Sequence, residues 1–206
     1  MSQNGQNPFS TSSIIVYTIG HGNDSLEHFC KLLIDNDIRL LIDVRSAPYS
    51  RYKPEFNRES LKAHLEQTDI EYRYGGDYLG GRPKDPQFYK DGEVPPKGIE
   101  KSQYLKLVNY DAVAQSTLYL GGIERLIVRA KERRVVIMCS EENPDHCHRK
   151  HLITKSLLER DVTVMHIRRN GSILLEGNRA NIAVTDKTVD DEVELPNANL
   201  EQLSLF

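Results

Sequence analysis

The sequence predicts an α/β fold built on an open, mostly parallel, Rossmann-like sheet with helices on both faces, a three-layer sandwich. Short apolar runs typical of buried strands occur at residues 14–19, 40–45, 135–138 and 162–167. Segments with helical periodicity separate these runs. Strands that alternate with helices in this way run parallel and are joined by right-handed crossovers.

The first half of the chain holds three predicted strands. The run at 14–19 ends at Gly20-His21-Gly22, and a helix with a polar cap follows to about residue 36. The run at 40–45 completes a strand–helix–strand unit, and we expect its two strands to pair in parallel. After a loop fixed by two prolines, the pattern predicts a helix at 57–67 and a short strand at 71–74.

The second half begins with residues 77–102, which show no periodicity, and a loop of this length is usually functional or mobile. Helical patterns follow at 103–114 and 117–133, and the third apolar run comes next. We predict a helix from residue 147 or 148 to residue 159, which leads to the fourth apolar run. Asn170-Gly171 then indicates a hairpin turn before a last strand-like segment.

Composition places a single domain at residues 14–176, between a disordered start at 1–13 and a flexible acidic tail at 177–206. The net charge of −3 argues against a globally basic nucleic-acid binder. No apolar run is long enough to cross a membrane and the first residues do not form a signal peptide, so we expect a cytoplasmic protein. The three cysteines, an odd number, are expected to be thiols.

Reactive residues lie at or directly after the carboxyl ends of different predicted strands. His21, Arg45 and Glu141 are placed in this way, and in an open parallel sheet those ends share the edge where ligands bind. Glu141 and His148 suit general acid/base catalysis, although a helix-cap or salt-bridge role fits Glu141 equally well. His21 is either a site imidazole or a turn residue. Cys147, at a helix start, is either a nucleophilic thiolate or a packing residue.

Cys139, Cys147 and His148 are of the residue types that ligate zinc. Their C-x7-C-H spacing is not the short C-x2-C pattern that identifies zinc sites. Cys139 also continues a buried strand, where a cysteine is usually a small hydrophobic residue. The sequence therefore favours no metal site, and it identifies no cofactor.

The loop at residues 49–56 mixes aromatic and basic side chains. Rings stack on bases and cations pair with phosphates, so this loop favours a nucleotide or a single-stranded nucleic acid as ligand. Outside this loop, Arg45 and Arg149 could clamp a phosphate or carboxylate bidentately. The predicted ligand- or phosphate-binding residues are Arg45, Arg149, Tyr49, Ser50, Arg51 and Lys53.

Most of the chain, roughly residues 15 to 170, resembles a family known only as the "domain of unknown function 488" family. The matching residues are Thr18-Ile19-Gly20-His21, Leu41-Ile42-Asp43-Val44-Arg45, Pro48, Ser50, Phe56, Tyr72, Leu79-Gly80-Gly81, Met138-Cys139, Glu141 and Cys147-His148-Arg149. The resemblance implies a Rossmann-like α/β domain whose motif residues gather at one sheet edge. It brings no established reaction and assigns these residues no roles.

The last five residues, Gln202-Leu203-Ser204-Leu205-Phe206, resemble the short peptide by which bacterial polymerases and repair proteins bind the DNA sliding clamp. Leu205 and Phe206 would form an apolar anchor, and Gln202 would hydrogen-bond deeper in the cleft. An acidic linker would present them. The alternative is that the tail folds back over apolar surface of its own domain.

Three functions compete on these observations. The first is an enzyme that processes DNA or nucleotides, with hydrolytic chemistry, recruited to DNA by the clamp. The second is a non-catalytic adaptor that binds a nucleotide or DNA end and docks on the clamp. The third is a small-molecule enzyme unconnected with DNA, for which the resemblance of the tail is accidental.

Overall fold

The fold is described by a computed structural model that covers residues 14–96 and 98–177. These residues contain one sheet of six strands. The strands are β1 (Ile15–Gly20), β2 (Leu40–Asp43), β3 (Glu71–Tyr74), β4 (Val135–Cys139), β5 (Thr163–Ile167) and β6 (Ile173–Glu176). The predicted start at 1–13 and nearly all of the predicted acidic tail lie outside the described residues.

The strand order is β3-β2-β4-β1-β5-β6. The first five strands are parallel, and β6 is antiparallel to β5. The hairpin turns at Asn170-Gly171, where Gly171 has a φ of +85°. The open, mostly parallel α/β sheet and the hairpin predicted from the sequence are therefore confirmed.

The expected direct pairing of the first two strands is wrong. β1 and β2 run parallel but do not touch, because β4 lies between them and pairs with both: Val135 is opposite Val16 on one side and Leu40 on the other. All five residues of β4 are buried. A strand that is apolar on both faces belongs in the middle of the sheet, which the local strand–helix–strand spacing does not reveal.

Seven α-helices accompany the sheet within the described ranges. They are α1 (Leu26–Asp35), α2 (Arg58–Leu65), α3 (Gly76–Leu79), α4 (Lys101–Leu107), α5 (Tyr110–Ala114), α6 (Thr117–Glu132) and α7 (Lys155–Leu158). A π-helical segment, Arg149–Thr154, runs directly into α7, so the helix predicted from residue 147 or 148 exists but is not α-helical in its first turns. The predicted helix at 103–114 is divided at Val108, which is buried and bridges to Tyr89.

Two apolar cores, one on each face of the sheet, confirm the three layers. Along β4, Val136 and Met138 face the core that contains Phe29 and Leu33 of α1 and Leu61 of α2. The alternate β4 residues face the core formed with α5, α6 and the helix at 149–158. None of the helices in residues 14–96 and 98–177 is long and apolar enough to span a membrane.

The carboxyl ends of β1 and β4 form the topological switch point of the sheet. The two strands are neighbours, with Gly20 opposite Cys139. The chain leaves β1 toward α1 on one face and leaves β4 toward the helix at 149–158 on the other face. Such a divergence opens a crevice where ligands bind in open α/β sheets, and His21 and Glu141 follow these two ends.

Candidate functional site

The loop after β4 crosses directly over the end of β1. The backbone N–H of His21 donates to the Cys139 carbonyl (3.2 Å), and that of Gly22 donates to the Ser140 carbonyl (2.8 Å). A Cβ atom on Gly20 would collide with the backbone carbonyl of Glu141. Glycine at positions 20 and 22 thus allows the loop after β4 to approach the end of β1 closely.

The Arg149 side chain fixes the backbone of this loop after β4 by hydrogen bonds. Its guanidinium is fully buried, with Nη1 donating to the Glu141 carbonyl and Nη2 to the Glu142 carbonyl (2.5 Å). Arg149 lines neither of the two cavities described below. The guanidinium therefore binds backbone carbonyls and does not face a cavity, so it is not placed to clamp a phosphate, the role that the sequence suggested.

The Arg45 guanidinium is also bound by groups of the protein itself. It is buried and pairs bidentately with Asp43, through Nε to Oδ1 (2.9 Å) and Nη2 to Oδ2 (2.6 Å). Nη2 also donates to the Phe56 carbonyl (2.8 Å), and the Tyr72 hydroxyl donates to Asp43 (2.8 Å). Burial, followed by the Asp43 carboxylate, raises the pKa of Tyr72. Arg45 contributes to a cavity wall, but its bidentate partner is Asp43.

Two adjacent cavities open at the switch point. The larger has a volume of about 1420 Å³ and reaches toward α1 and the β5–β6 hairpin. The smaller has a volume of about 500 Å³ and reaches toward the loop at 79–83 and the helices α4 and α5. Both cavities are lined by His21, Ser50, Tyr52, Ser140 and Glu141.

His21 and Glu141 line both cavities, as their strand-end positions predicted. The His21 ring is buried and stacks on Phe56, with centroids 4.4 Å apart and an interplanar angle of 13°. The next carboxylate, Glu142, is bound by Arg168 through two hydrogen bonds of 2.9 and 3.0 Å. The hydrogen bond from Arg168 is the main reason that the pKa of Glu142 is lowered.

Cys139, Cys147 and His148 form a buried cluster on the wall of the smaller cavity. The His148 Nδ1 atom lies 3.7 Å from each of the two sulfurs. The hydrogen bond from Cys147, with smaller contributions from His148 and Arg149, holds the pKa of Cys139 well below its usual range. Burial, followed by the neighbouring Cys139, raises the pKa of Cys147. These residues are the described ones whose ligand atoms could together hold a metal ion.

The loop at 49–56 is fixed by its own hydrogen bonds. Ser50 N–H donates to Asn57 Oδ1 (2.6 Å), and the Ser50 hydroxyl accepts from the backbone N–H of Tyr52 (3.2 Å) and Lys53 (3.3 Å). The Lys53 ammonium donates to the Asp24 carbonyl (3.0 Å), so it ties the loop to the start of α1. Tyr52 is 93% exposed at the rim of both cavities.

The remaining predicted loop residues, Tyr49 and Arg51, are exposed and line the smaller cavity. The sequence did not single out Ser140, Tyr104 or Tyr110, which line it as well. The Tyr110 hydroxyl donates to the Gly81 carbonyl (3.1 Å). Ser140 directly follows β4 and precedes Glu141, so its strand-end position could have indicated it, whereas no feature of α4 or α5 in the sequence indicated a site. The tail residues Gln202, Leu203, Leu205 and Phe206 lie outside the described residues.

The comparisons with known proteins identify the family of this chain. A family model described as "Domain of unknown function DUF488" matches residues 25–155, more than half of the chain. That span contains Arg45, Glu141, Cys147 and His148 but stops short of β5 and β6. No curated protein and no solved structure matches the chain significantly. The chain belongs to the DUF488 family, and the β1–β4 switch point is the candidate site of this member.

Proposed function

We propose that this protein is a hydrolytic enzyme that processes DNA or nucleotides and is recruited to DNA through the sliding clamp. One observation carries the proposal: among the described residues, Glu141 is the carboxylate that lines both cavities at the switch point. Its backbone is fixed by Arg149, so its position is set before a ligand binds. A carboxylate held at the opening of a crevice suits proton transfer to and from a reacting water or leaving group.

The walls of the smaller cavity favour a ligand with a ring and a phosphate. Tyr49 and Tyr52 offer exposed rings for stacking on a base, while Arg51 and Arg82 contribute positive charge. The Arg82 guanidinium lies 4.4 Å from the ring centroid of Tyr104, which orients it along the wall. A volume of about 500 Å³ matches the size of a small-molecule site and accommodates one nucleotide unit.

In this proposal Glu141 is the general acid/base, and His21 is its neighbour in both cavities. The sequence also suggested His148 for proton transfer, but its Nδ1 faces two sulfurs. Cys147 is buried among the same atoms. Proton transfer is therefore assigned to Glu141.

The test of the catalytic role is Glu141→Gln, which keeps the shape of the side chain and removes its charge. Parent and variant are compared on single-stranded DNA, duplex DNA and free nucleotides. We expect a loss of turnover of about 100-fold or more. Glu59→Gln, at an exposed carboxylate on α2, is the matched control and retains the parent rate.

Equal turnover by the parent and Glu141→Gln would remove the proposed role of Glu141. If the parent binds these ligands without turning any of them over, the protein is an adaptor rather than an enzyme. Turnover confined to metabolites unrelated to nucleotides would instead point to the small-molecule enzyme considered from the sequence.

The recruitment is tested by titrating the purified sliding clamp with the full chain and with a chain that ends at Glu201. The short apolar anchor is expected to bind at about micromolar strength, because a peptide of five residues makes few contacts and binding must offset the entropy lost on association. We expect this binding to disappear on truncation. Equal binding by both chains, or none by either, would separate the protein from the clamp.

A further inference from the structure

We propose that Cys139, Cys147 and His148 form a binding site for one divalent metal ion, with Zn²⁺ as the best match. Metal binding at this cluster is independent of the proposed hydrolysis of nucleic acid or nucleotides. Thiolate and imidazole ligands are a set that zinc prefers in proteins. The sequence spacing argued against a metal, but spacing along the chain does not measure distance in space.

The distances between the ligand atoms support this assignment. In a tetrahedral zinc site, bond lengths of about 2.3 Å to sulfur and 2.0 Å to nitrogen place these two ligand atoms about 3.5 Å apart. The His148 Nδ1 atom lies 3.7 Å from both Cys139 Sγ and Cys147 Sγ. All three ligand atoms lie within 4.8 Å of one another, so one ion can contact them together after small side-chain adjustments.

Rigid elements hold the three side chains in place. Cys139 ends the central strand β4, and Cys147 follows a short 3-10 turn at Pro144–His146, where its backbone N–H donates to the Pro144 carbonyl (3.0 Å). Gly81 packs against the His148 ring so closely that a Cβ atom there would collide with it. The imidazole is therefore confined from the side of the Gly81 loop.

The three ligand atoms converge on one point. A neutral imidazole has one N–H and one acceptor nitrogen, and here a single atom, Nδ1, faces two sulfurs. The other ring nitrogen, Nε2, is buried and has no hydrogen-bond partner among the described residues. A metal ion at the centre would use Nδ1 and both sulfurs at once and would leave the ring proton on Nε2.

The cluster is accessible from one side. All three residues are at least nine-tenths buried, yet they line the wall of the smaller cavity together with Glu141 and Tyr110. The cavity gives an ion a path to the ligands. Three protein ligands with a cavity at the fourth position are typical of zinc sites that also bind water or another exchangeable ligand. The fourth ligand would therefore come from the cavity.

The experiment measures metal binding directly, without an activity assay. The full chain is purified under reducing conditions with zinc, its metal content is determined, and the stripped protein is titrated with Co²⁺, whose spectrum reports thiolate ligands and tetrahedral geometry. We expect roughly one ion per chain and a thiolate-to-cobalt absorption band. Cys139→Ser, Cys147→Ser and His148→Gln are each expected to bind at least about tenfold more weakly.

Cys30→Ser is the matched control, because Cys30 is also a buried thiol but belongs to the core on the opposite face of the sheet. We expect it to bind Co²⁺ as the native chain does. The absence of a thiolate band in the reduced native chain would overturn the proposal even if the cysteine variants fail to fold. A band lost in Cys30→Ser but kept in Cys139→Ser would also overturn it. Both readouts are independent of any nucleic-acid turnover.

Discussion

Arg45 and Arg149 are both buried near the carboxyl edge of the sheet, but they belong to different elements: Arg45 follows β2, whereas Arg149 begins the π-helical segment and reaches back to the loop after β4. Arg45 meets a carboxylate, because Asp43 binds it through two hydrogen bonds. The Arg149 guanidinium instead donates to two backbone carbonyls. The charge of Arg45 is thus balanced within its own pair, whereas the charge of Arg149 acts on the surrounding buried groups.

The pKa shifts near the two arginines reflect this difference. Arg149 contributes to lowering the pKa of Cys139 and that of His166, although it is not the largest cause for either group. Beside Arg45, the pKa of Tyr72 is raised by burial and by Asp43 in spite of the nearby guanidinium. A buried arginine near a candidate site can therefore serve as a scaffold for loops and as an electrostatic influence, without contacting a ligand.

The largest expected effect comes from breaking the balanced pair. Asp43→Asn leaves the buried guanidinium of Arg45 without its counter-charge, and we expect the free energy of unfolding to fall by about 3–5 kcal/mol in urea denaturation. Asp69→Asn is the control, because Asp69 is 94% exposed and lies 3.7 Å from Arg39. It should cost less than about 1 kcal/mol. Equal losses in both variants would contradict the importance of the buried pair.

The next largest loss of stability is expected at Gly20, over which Arg149 holds the Glu141 carbonyl. Gly20→Ala inserts a methyl group where the Glu141 backbone passes, and we expect a loss of about 3 kcal/mol, at the upper end of the cost of overpacking. Gly121→Ala, on α6, meets only an arginine side-chain atom at 3.5 Å. It should stabilise the protein by about 0.5–1 kcal/mol. Thermal unfolding of the two variants should therefore shift in opposite directions.

Replacing the unbalanced arginine should cost somewhat less than breaking the balanced pair. Arg149→Met removes two charge-assisted hydrogen bonds, but it leaves no buried charge and the half-buried loop can meet water. We expect a loss of about 2–3 kcal/mol and faster amide hydrogen exchange at residues 140–143. Unchanged exchange there would show that Arg149 does not fix the loop.

The smallest effect is a pH dependence of the free energy of unfolding that arises from His166. The His166 ring is fully buried, and its Nδ1 atom lies 2.7 Å from the Thr18 hydroxyl. Burial, opposed by Glu176, lowers the pKa of His166 from 6.5 to about 4. Protonation of the imidazole then favours the unfolded chain. The contribution of neutral His166 to the free energy of unfolding is therefore fully present above pH 6.5 and is lost as the pH falls toward 4. We expect the free energy of unfolding to fall by about 2 kcal/mol from this cause between pH 7 and pH 5.

The measurement is urea denaturation of the native chain and of His166→Gln at a series of pH values. The native chain should lose more stability than the variant on acidification, because the variant has no imidazole to protonate. Parallel pH profiles for the two proteins would show that His166 titrates alike in the folded and unfolded chains.

The sequence by itself determined most of the strands and the edge of the sheet at which the candidate site lies. The apolar runs specified β1, β2, β4 and β5, and Asn170-Gly171 specified the hairpin, because burial and turn geometry act over a few residues. The same local information placed His21 and Glu141 at strand ends, and both line the two cavities.

Only the tertiary structure decided which neighbours these residues have. The insertion of β4 between β1 and β2 placed the Glu141 loop over Gly20, and packing within the fold sent the Arg149 guanidinium beneath that loop rather than into a cavity. Bringing Cys139 within reach of Cys147 and His148 required a strand end and a helix start to converge. Strand order and side-chain direction depend on long-range packing, which local sequence patterns do not encode.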